Sequence, residues 1–410
     1  MSLLSVDQAR ERILSHFQPV TTETLPLAGC ANRVLAQVIT ATNELPPFDN
    51  SSMDGFAVQA ADVSEAGADS PRNLRVVADI PAGSYPTIVL SSGQAARIMT
   101  GAPVPEGADA VVPVEDTNFD HRDAGTPAPG EVQIFKSAKS GANIRPRGMD
   151  LRAGEVVLSQ GRVLKPQDLG LLATLGYANV LLFRKPRVAL FSSGDELLPV
   201  EAPLVAGKIR DSNSYTLAAL TEEAGAEVVR LGVAKDDPDS VKVLLEKAVE
   251  HDVDLILSSA GVSVGAFDFV KQVIESSGKM DFWRVNMRPG KPVAFGEYKN
   301  IPFIGLPGNP VSSFVGFEVF VHPTLERLRG SLNRGRQTIR VRLEEQIDSD
   351  GRESYLRAHV SEEDGHWLAR LTGHQGSGNL HSLVQANALL IIPAGVKCVP
   401  AGQEVNAWLI

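Results

Sequence analysis

The stretch LILSSAGVSVGAFDFVKQVI, residues 255–274, shows the pattern that decides the fold of the central part of the chain. Its first three residues are apolar and predict a short buried strand, and the small residues that follow, 258–261, predict a loop. Val270, Val273 and Ile274 then recur at helical spacing, which predicts a helix. Strand, loop and helix therefore succeed one another within one short segment.

The same succession occurs on both sides of this stretch, between residues 184 and 330. Such alternation predicts a mainly parallel sheet with helices on both of its faces. The other elements predicted in this region are strand Val188–Phe191, helix Ser214–Ala224, strand Val228–Leu231, helix Ser240–Glu250, strand Phe303–Leu306 and helix Val311–Leu328.

The flanking parts of the chain show a different pattern. Residues 46–147 are rich in proline and glycine and carry short β-branched runs, which predicts a small β domain. Residues 331–410 combine short strands with hairpin signals, which predicts a separate small β domain or barrel. Ser5 and Gln8 have the spacing of a capping box, so a first helix is expected to begin there. The predicted fold class is α/β plus β, in several domains.

Composition and charge exclude several classes of protein. Among 410 residues, 39 Lys and Arg stand against 49 Asp and Glu, and the net charge of −10 argues against binding to duplex nucleic acid or to a membrane surface. Cys30 and Cys398 lie near opposite ends of the chain, so neither a disulfide scaffold nor a structural zinc site is expected. No signal peptide and no apolar run of membrane-spanning length are found. We therefore expect a cytoplasmic protein.

Two loops that follow predicted strands are suited to an anion. Residues 192–196 (SSGDE) and 258–265 (SSAGVSVG) place hydroxyl and backbone N–H groups beyond the carboxyl ends of the strands, where ligands bind in such sheets. Either loop alone is equally consistent with ordinary turn chemistry, but the two together favour a phosphate or another anion. The candidate binding residues are Ser193, Gly194, Ser259, Gly261 and Ser263.

Carboxylates collect at the same predicted edge of the sheet, namely Asp195, Glu196, Asp236, Asp237 and Asp268. Because acids repel an anionic ligand unless a divalent cation lies between them, this arrangement favours Mg²⁺ bridging phosphate oxygens. A simpler interpretation of Asp236 and Asp237 is also open, since acids are common at the start of a helix.

Two proline-rich turns present cations and hydroxyl groups. RPGKP (288–292) holds Arg288 and Lys291 in a stiff turn that suits an oxyanion clamp, although a solvated hairpin would show the same residues. LPGNPVSS (306–313) places Pro307, Pro310 and Ser312 at a rigid transition from strand to helix.

These motifs, together with others along the chain, resemble one known family, the molybdopterin molybdenumtransferases of the MoeA type; gephyrin carries a similar domain. The matching segments occur in order over nearly the whole chain, and several are long and unusual. They are PPFDNSSMDGFAV (46–58), RIMTGAPVPEGADAVV (97–112), IRPRGMD (144–150), FSSGDEL (191–197), SSAGVSVGAFDFVK (258–271), RPGKP (288–292), GLPGNPVSS (305–313) and GHQGS (373–377).

The resemblance implies a transferase of molybdenum cofactor biosynthesis that inserts molybdate into adenylylated molybdopterin, with Mg²⁺-dependent release of AMP. It further implies a homodimer with a shared cleft, and a molybdopterin adenylyltransferase as a partner. The implied domains are an elongated N-terminal region (1–45, continued by 148–183), an inserted small β domain (46–147), an α/β/α molybdopterin-binding domain (184–330) and a C-terminal β-barrel (331–410).

The family motifs also imply roles for individual residues. Glu196, Asp237 and Asp268 match acids tied to the adenylylated pterin and its metal, but the motif does not distinguish Asp236 from Asp237. The implied catalytic residues are Asp54, Thr100, Asp150, Glu196, Asp237 and Asp268. The implied substrate-binding residues are Ser193, Gly194, Ser259, Gly261, Ser263, Arg288, Lys291, Pro307, Pro310, Ser312, Arg357 and Ser377.

Two residues depart from the family pattern, and two other functions compete with the transferase. Ala260 stands where glycine is common and Arg288 where lysine is common, which leaves the preference between molybdate and tungstate open. A pterin-binding scaffold of the gephyrin type would need neither the acids nor the cation clamp. A nucleotide-pyrophosphate hydrolase would share only the α/β domain, so the flanking β domains and GHQGS argue against it.

Overall fold

The computed structural model describes residues 3–120, 125–260, 264–282, 284–332 and 335–410, except for the side chains of residues 260 and 264–268. The chain divides into two compact units. The first contains Met1–Gln37, Gln160–Leu172 and Tyr177–Ile410, and the second contains Val38–Ser159 and Ala173–Gly176. In the described ranges, no helix combines the length and the apolarity that crossing a bilayer requires.

The N-terminal helix α1 (Val6–Leu14) begins where the sequence predicts. Ser5 Oγ accepts a hydrogen bond from the backbone N–H of Gln8 (3.2 Å), and Gln8 Oε1 accepts one from the backbone N–H of Ser5 (3.1 Å). These two bonds complete the predicted capping box. The buried face of α1, which includes Ile13, joins the core of the first unit. Strand β1 (Thr22–Pro26) follows.

The second unit is a small β structure, as predicted for this part of the chain. Its strands are β2 (Ile39–Thr40), β3 (Asn50–Ser51), β4 (Gly55–Val58), β5 (Arg72–Ile80), β6 (Gln94–Ile98), β7 (Ala110–Pro113), β8 (Glu131–Ile134), β9 (Ile144–Arg145) and β10 (Val156–Leu158). Five of these form a sheet with the order β7–β4–β6–β5–β8. Gly55 is required within it, because a Cβ at this position would lie 2.0 Å from the carbonyl oxygen of Val112 on β7.

The first unit is centred on a six-stranded sheet. Helix α2 (Pro166–Thr174) and strand β11 (Asn179–Phe183), which pairs with β1, precede it. The strands of this region are β12 (Arg187–Ser193), β13 (Leu197–Leu198), β14 (Ile209–Arg210), β15 (Glu227–Ala234), β16 (Leu255–Ala260), β17 (Gly278–Phe282), β18 (Met287–Arg288), β19 (Ala294–Tyr298) and β20 (Ile301–Pro307). The sheet has the order β15–β12–β16–β20–β19–β17, in which the first four strands are parallel and the last two are antiparallel to their neighbours.

Helices cover both faces of this sheet. They are α3 (Asn213–Glu223), α4 (Pro238–Glu250), α5 (Val264–Ser277), α6 (Pro310–Gly316) and α7 (His322–Leu328). Val188 and Leu190 of β12 lie in a hydrophobic cluster with residues of α3, α6 and α7, whereas Ala189 and Phe191 lie in another with residues of α4 and α5. Because alternate residues of a strand face opposite layers, the predicted α/β/α arrangement is confirmed.

The predicted helix Val311–Leu328 is not a uniform α-helix. Between α6 and α7, Phe317–Val321 form a π-helical turn. Pro323 lies just beyond this turn, and a proline has no backbone N–H and needs room for its ring beside the preceding turn. The wider π turn supplies this room. Apolar periodicity alone does not predict a π turn at this position.

The C-terminal part of the first unit is a closed barrel, as predicted. Its elements are β21 (Thr338–Leu343), β22 (Ile347–Asp348), β23 (Glu353–Glu363), β24 (His366–Leu371), α8 (Leu380–Val384), β25 (Ala388–Ile392), β26 (Cys398–Val399) and β27 (Glu404–Leu409). Strands β23, β24, β21, β27 and β25 follow one another around the ring, and a pairing between β23 and β25 closes it. The multidomain α/β plus β fold class is confirmed, whereas the individual boundaries at residues 46, 148, 184 and 331 stay predictions.

One buried ion pair connects the last helices of the central region to the segment before the barrel. Arg336 donates from Nε and Nη2 to the two carboxylate oxygens of Glu318, at 2.8 and 2.9 Å. The side chain of Glu318 is completely buried, and that of Arg336 is 19% exposed. Glu223 of α3 accepts a further bond from Arg336 (3.1 Å). Removing the arginine would therefore leave a buried carboxylate without its main partner.

We predict that Arg336→Met lowers the free energy of unfolding by about 3–5 kcal/mol, because an uncompensated charge is costly in the interior. The matched control is Arg340→Met, since the pair between Arg340 and Glu404 is exposed on both sides and should contribute less than about 1 kcal/mol. Thermal unfolding of the two variants measures the difference. Equal shifts of the midpoint would contradict the assigned role of the buried pair.

Candidate functional site

The carboxyl ends of the four parallel strands lie level with one another. Ser193, the last residue of β12, is paired with Ala234 at the end of β15 and with Ala260 at the end of β16. Ala260 is in turn paired with Pro307 at the end of β20. The loops that follow these strands therefore begin at one edge of the sheet, where an open α/β fold binds its ligands.

A cavity of about 180 Å³, here called the strand-end cavity, opens at this edge. It is lined by the ends of β12 and β16, by the loops after β12 and β20 and by the start of α3. The predicted residues Ser193, Glu196, Ser259 and Pro310 line it. The hydroxyl of Ser193 is buried and has no hydrogen-bond partner among the described residues, so it is available to a ligand. Gly194 has a φ angle of 147°, and a Cβ on it would lie 2.5 Å from the Glu196 carboxylate.

Two residues of this cavity were not found from the sequence. Asn213, at the start of α3, donates from Nδ2 to Ser259 Oγ and to the carbonyl oxygen of Gly308, both at 2.7 Å. Asp211 accepts hydrogen bonds from Ser192 Oγ (3.3 Å) and from the backbone N–H of Ser214 (3.1 Å). Asn213 thus joins the end of β16 to the loop after β20, and Ser258, Ser259 and Ala260, predicted as the start of a loop, belong to the strand instead. The segment DSN before an apolar helix could have indicated these residues, since such a segment is typical of a helix start.

The structure distinguishes between the two adjacent aspartates after β15. Asp237 is the N-cap of α4, and its Oδ1 accepts a hydrogen bond from the backbone N–H of Ser240 (2.8 Å). Asp236 Oδ1 is buried and has no partner among the described residues, while the backbone N–H of Asp236 donates to Asp195 Oδ1 (3.3 Å). One oxygen of Asp237 therefore caps α4, as the simpler interpretation predicts, whereas Asp236 has a buried oxygen that no described residue contacts.

Three predicted residues of this edge cannot be placed in the site. Gly261 and Ser263 lie outside the described residues, and Asp268 belongs to α5 but its side chain lies outside them as well. Within the described part of the chain, no group of three or more His, Cys, Asp or Glu side chains is arranged to hold a metal ion.

A second cavity of about 350 Å³, here called the cationic cavity, lies on the other side of the loop after β20. It shares Asn309 with the strand-end cavity. Its walls come from the RPGKP turn, from the start of α6 and from the barrel. The predicted residues that line it are Arg288, Lys291, Pro307, Ser312, Arg357 and Ser377. The fold therefore brings these separate sequence motifs together.

The cations of this cavity differ in their partners. Arg352, which the sequence reasoning missed, donates from Nε to Asp350 (3.0 Å), and Arg288 Nη1 lies 3.9 Å from the same carboxylate. The hydrogen bond from Arg352 lowers the pKa of Asp350, which is therefore ionised at neutral pH. Lys291 is exposed, and its ammonium group has no acceptor among the described residues. Arg357 is completely buried and contacts the loop of residues 373–377.

The remaining predicted residues belong to the second unit. Asp54 Oδ1 accepts hydrogen bonds from the backbone N–H and the hydroxyl of Thr100, both at 2.7 Å. Asp150 forms an exposed ion pair with Arg145 (2.6 Å). Asp54 and Thr100 are thus brought together from distant positions in the sequence, and Asp150 is held by a different partner.

Comparison with known proteins covers nearly the whole chain. Residues 4–176 match the MoeA N-terminal region (domains I and II), residues 189–327 match a probable molybdopterin binding domain, and residues 340–410 match the MoeA C-terminal region (domain IV). A molybdopterin molybdenumtransferase of Nostoc sp. is 39% identical over 392 residues, which are 94% of this chain and 88% of the relative. The chain belongs to the MoeA family. Another relative with the same name, from Haemophilus influenzae, is 36% identical over 412 residues, 98% of each chain.

Solved structures of MoeA proteins agree with this assignment. The crystal structure of the molybdopterin biosynthesis MoeA protein from Pyrococcus horikoshii OT3 is 31% identical, and the match covers 100% of both chains with a TM-score of 0.83. In the terms of the MoeA family models, the strand-end cavity is lined by residues of the probable molybdopterin binding domain. The cationic cavity is lined jointly by that domain and the MoeA C-terminal region.

The contacts of Asn213 lead to a prediction about the stability of this edge. In Asn213→Asp a carboxylate oxygen would face the carbonyl oxygen of Gly308, and both buried bonds from the amide would be lost, at a cost of about 2–3 kcal/mol. Amide hydrogen exchange should increase in residues 307–310. The control is Asn406→Asp, the same change at an exposed position on β27, which should alter stability by less than about 0.5 kcal/mol. Equal effects of Asn213→Asp and Asn406→Asp on stability and hydrogen exchange would contradict the assigned role of Asn213 at this edge.

Proposed function

We propose that this protein is a molybdopterin molybdenumtransferase, which inserts molybdate into adenylylated molybdopterin and releases AMP. The observation that carries the proposal is the pair of cavities on either side of the loop after β20, which share Asn309. One offers hydroxyl groups and a carboxylate at the strand ends, and the other offers several cations. Two chemically different ligands would thus be held side by side. The name borne by the relatives supports the same activity.

The strand-end cavity would bind the phosphate groups of the adenylylated pterin. Ser193 has an unpartnered buried hydroxyl there, and Ser259 is held in place by Asn213. Hydroxyl groups and backbone N–H groups at strand ends suit phosphate oxygens. Gly194, Gly261 and Ser263 complete the proposed set, because they belong to the same two sequence motifs.

The cationic cavity would bind molybdate, which is a tetrahedral dianion. Lys291 supplies an ammonium group without a partner among the described residues, and Arg288 supplies a guanidinium that is only loosely paired with Asp350. The buried Ser312 and the partly buried Ser377 supply hydroxyl groups. Charge-assisted hydrogen bonds from such donors to an oxyanion are strong. Pro307 and Pro310 restrict the backbone between the two cavities.

Mg²⁺ is proposed as the metal of the strand-end cavity. Magnesium is usually held by one or two carboxylates together with substrate phosphates, so a complete cage of protein ligands is not expected. Asp236, with its buried and unpartnered oxygen, fits this role, and Glu196 lines the cavity. Asp268 is the third acid of the proposed set. When bound, the ion would neutralise charge that develops on the phosphoanhydride as AMP leaves.

The protein itself needs no covalent nucleophile for this reaction. Its residues would orient the phosphoanhydride and molybdate against each other, and fixed charges would stabilise the charge that develops. Catalytic roles for Asp54, Thr100 and Asp150 of the second unit, which the family motifs imply, are part of the proposal. A homodimer, a molybdopterin adenylyltransferase as the source of the substrate and a cytoplasmic location are parts of the same proposal.

The alternatives are less well supported. A scaffold of the gephyrin type without turnover is not favoured, because several relatives that match almost the whole chain bear a transferase name. A nucleotide-pyrophosphate hydrolase would require only the central domain, whereas the family matches extend over the N-terminal and C-terminal regions as well.

The aspartates after β15 provide a test of the metal site. Asp236→Asn should raise the Mg²⁺ concentration required for AMP release by about 10- to 100-fold, because a ligand carboxylate is lost. Asp237→Asn should change it by less than about threefold, because asparagine caps a helix as well as aspartate does. The measurement is release of AMP from adenylylated molybdopterin over a range of Mg²⁺ concentrations. A larger effect of Asp237→Asn than of Asp236→Asn on the Mg²⁺ requirement would show that the metal site is wrongly assigned.

Lys291 provides a test of the oxyanion site. Lys291→Ala should raise the molybdate concentration required for cofactor formation by about 10- to 100-fold, which corresponds to the loss of one charge-assisted hydrogen bond. Binding of adenylylated molybdopterin should change little. Lys242→Ala, which removes an equal charge from the exposed surface of α4, is the control. If pterin binding is lost instead and the molybdate requirement is unchanged, the two cavities have been assigned the wrong ligands.

A further inference from the structure

A third cavity, here called the N-terminal cavity, lies apart from the two cavities of the proposed site. Its volume is about 630 Å³, and it shares no lining residue with either of them. It lies at the end of α3, at Glu223 and Gly225, whereas the strand-end cavity lies at the start of that helix, at Asn213. The 11 residues of α3 span about 16 Å, so the two cavities are separate.

Basic side chains predominate in the lining of the N-terminal cavity. They come from segments that are distant in sequence, and they are Arg33, Lys165, Arg184, Lys185 and Arg329. The two acidic lining residues, Glu222 and Glu223, are exposed, and Glu223 is paired with Arg336 at 3.1 Å. The apolar lining residues are Ala31, Val34, Val163 and Phe183. Such a lining suits a ligand that carries an anionic group on a small organic body.

Arg33 is fixed by its neighbours but keeps donors for a ligand. Its Nη2 donates to the carbonyl oxygen of Phe183 at 2.9 Å and to the carboxylate of Glu23. The side chain is only 11% exposed. Neither Nε nor Nη1 of Arg33 has an acceptor among the described residues, and neither atom is enclosed by the protein. Three N–H groups of a rigid guanidinium are thus available at the cavity.

Arg329 brings a second guanidinium to the same cavity. The residue is 8% exposed, and its Nη1 and Nη2 donate to the carbonyl oxygens of Ala224 and Asn32, both at 2.9 Å. The carboxylate of Glu326 approaches Nη1 only to 3.4 Å. Burial lowers the pKa of Arg329, Glu326 opposes this shift, and the charge of Arg33 adds to it. The two guanidinium groups therefore repel each other, and an anion bound between them would offset the repulsion.

The lysines of the cavity differ from its remaining arginine. Arg184 donates to both carboxylate oxygens of Asp254, at 2.7 and 2.6 Å, so its charge is largely compensated. Lys165 and Lys185 are exposed, and their ammonium groups have no acceptor among the described residues. A lysine side chain of this kind can turn towards an anion without breaking an existing contact.

We propose that the N-terminal cavity binds the phosphate monoester group of a small metabolite. A guanidinium with three available N–H groups, a second guanidinium beside it and two exposed ammonium groups match the charge and the acceptors of a phosphate dianion. The apolar lining and the volume leave room for the organic part of the molecule. This site is independent of the proposed function, because it contains none of the residues assigned to the adenylylated pterin or to molybdate.

Protection from hydrogen exchange tests the proposal at the cavity itself. The probes are glycerol 3-phosphate and inorganic phosphate, added at millimolar concentration to the whole protein. Both should slow amide hydrogen exchange in residues 29–34 and 183–185. Glycerol 3-phosphate should act at the lower concentration, because its carbon atoms also contact the apolar lining. Lys291→Ala, which alters the cationic cavity, should leave this protection unchanged.

The two lysines provide the second measurement. Lys165→Ala combined with Lys185→Ala should raise the concentration of glycerol 3-phosphate that protects residues 29–34 by about 10-fold or more, because two charge-assisted hydrogen bonds are lost. The midpoint of thermal unfolding should not change, since neither ammonium group has a partner in the protein. The matched control is Lys242→Ala combined with Lys247→Ala. It removes the same charge from exposed positions of α4 and should change the protecting concentration by less than about twofold.

The possible results distinguish this site from the cationic cavity. Absence of protection with both probes would overturn the proposal. Protection that is lost in Lys291→Ala and retained in the variant without Lys165 and Lys185 would also overturn it, since phosphate would then bind in the cationic cavity. Equal effects of the two double substitutions would show a general effect of charge and no site. Binding of glycerol 3-phosphate no tighter than that of inorganic phosphate would overturn the monoester as the ligand.

Discussion

The common termination of four parallel strands is the constraint on which the site depends. Backbone hydrogen bonds fix the register of Ser193, Ala260 and Pro307 relative to one another, so the loops that follow are placed side by side before any side chain acts. Asn213 then joins the end of β16 to the loop after β20. The cavities are a consequence of strand register, and the side chains provide their chemistry.

The distribution of charge explains how an acidic protein can offer a site for anions. The net charge is −10, yet Arg288, Lys291, Arg352 and Arg357 all line the cationic cavity, and Asp350 pairs with two of them, Arg288 and Arg352. Coulomb interactions of exposed groups are screened within about 10 Å in salt solution, so a ligand in this cavity responds to its immediate neighbours. The average charge bears on nucleic-acid binding and says little about a small dianion.

The parts of the structure that depend on local patterns could be predicted from the sequence. The capping box at Ser5 and the alternation of strands and helices are set by neighbouring residues, and both are confirmed. The π turn before Pro323 was missed, because apolar periodicity does not register one extra residue in a turn. Asn213 was missed because its partners are distant in sequence. Asp236 and Asp237 could be separated only when the cap on α4 was visible.

The closed ring of the barrel has a consequence for how the length of this chain can vary among related proteins. A residue inserted into β23 before Arg357 would shift the pairing with β25 and would separate Arg352 from Arg357, whereas one inserted after Ala358 would shift the pairing with β24. Insertions are compatible with the ring where a turn can absorb them, as at Asp364 and Gly365 at the far end of β23. We therefore expect differences in length to accumulate in the hairpins, while the spacing between the two arginines stays constant.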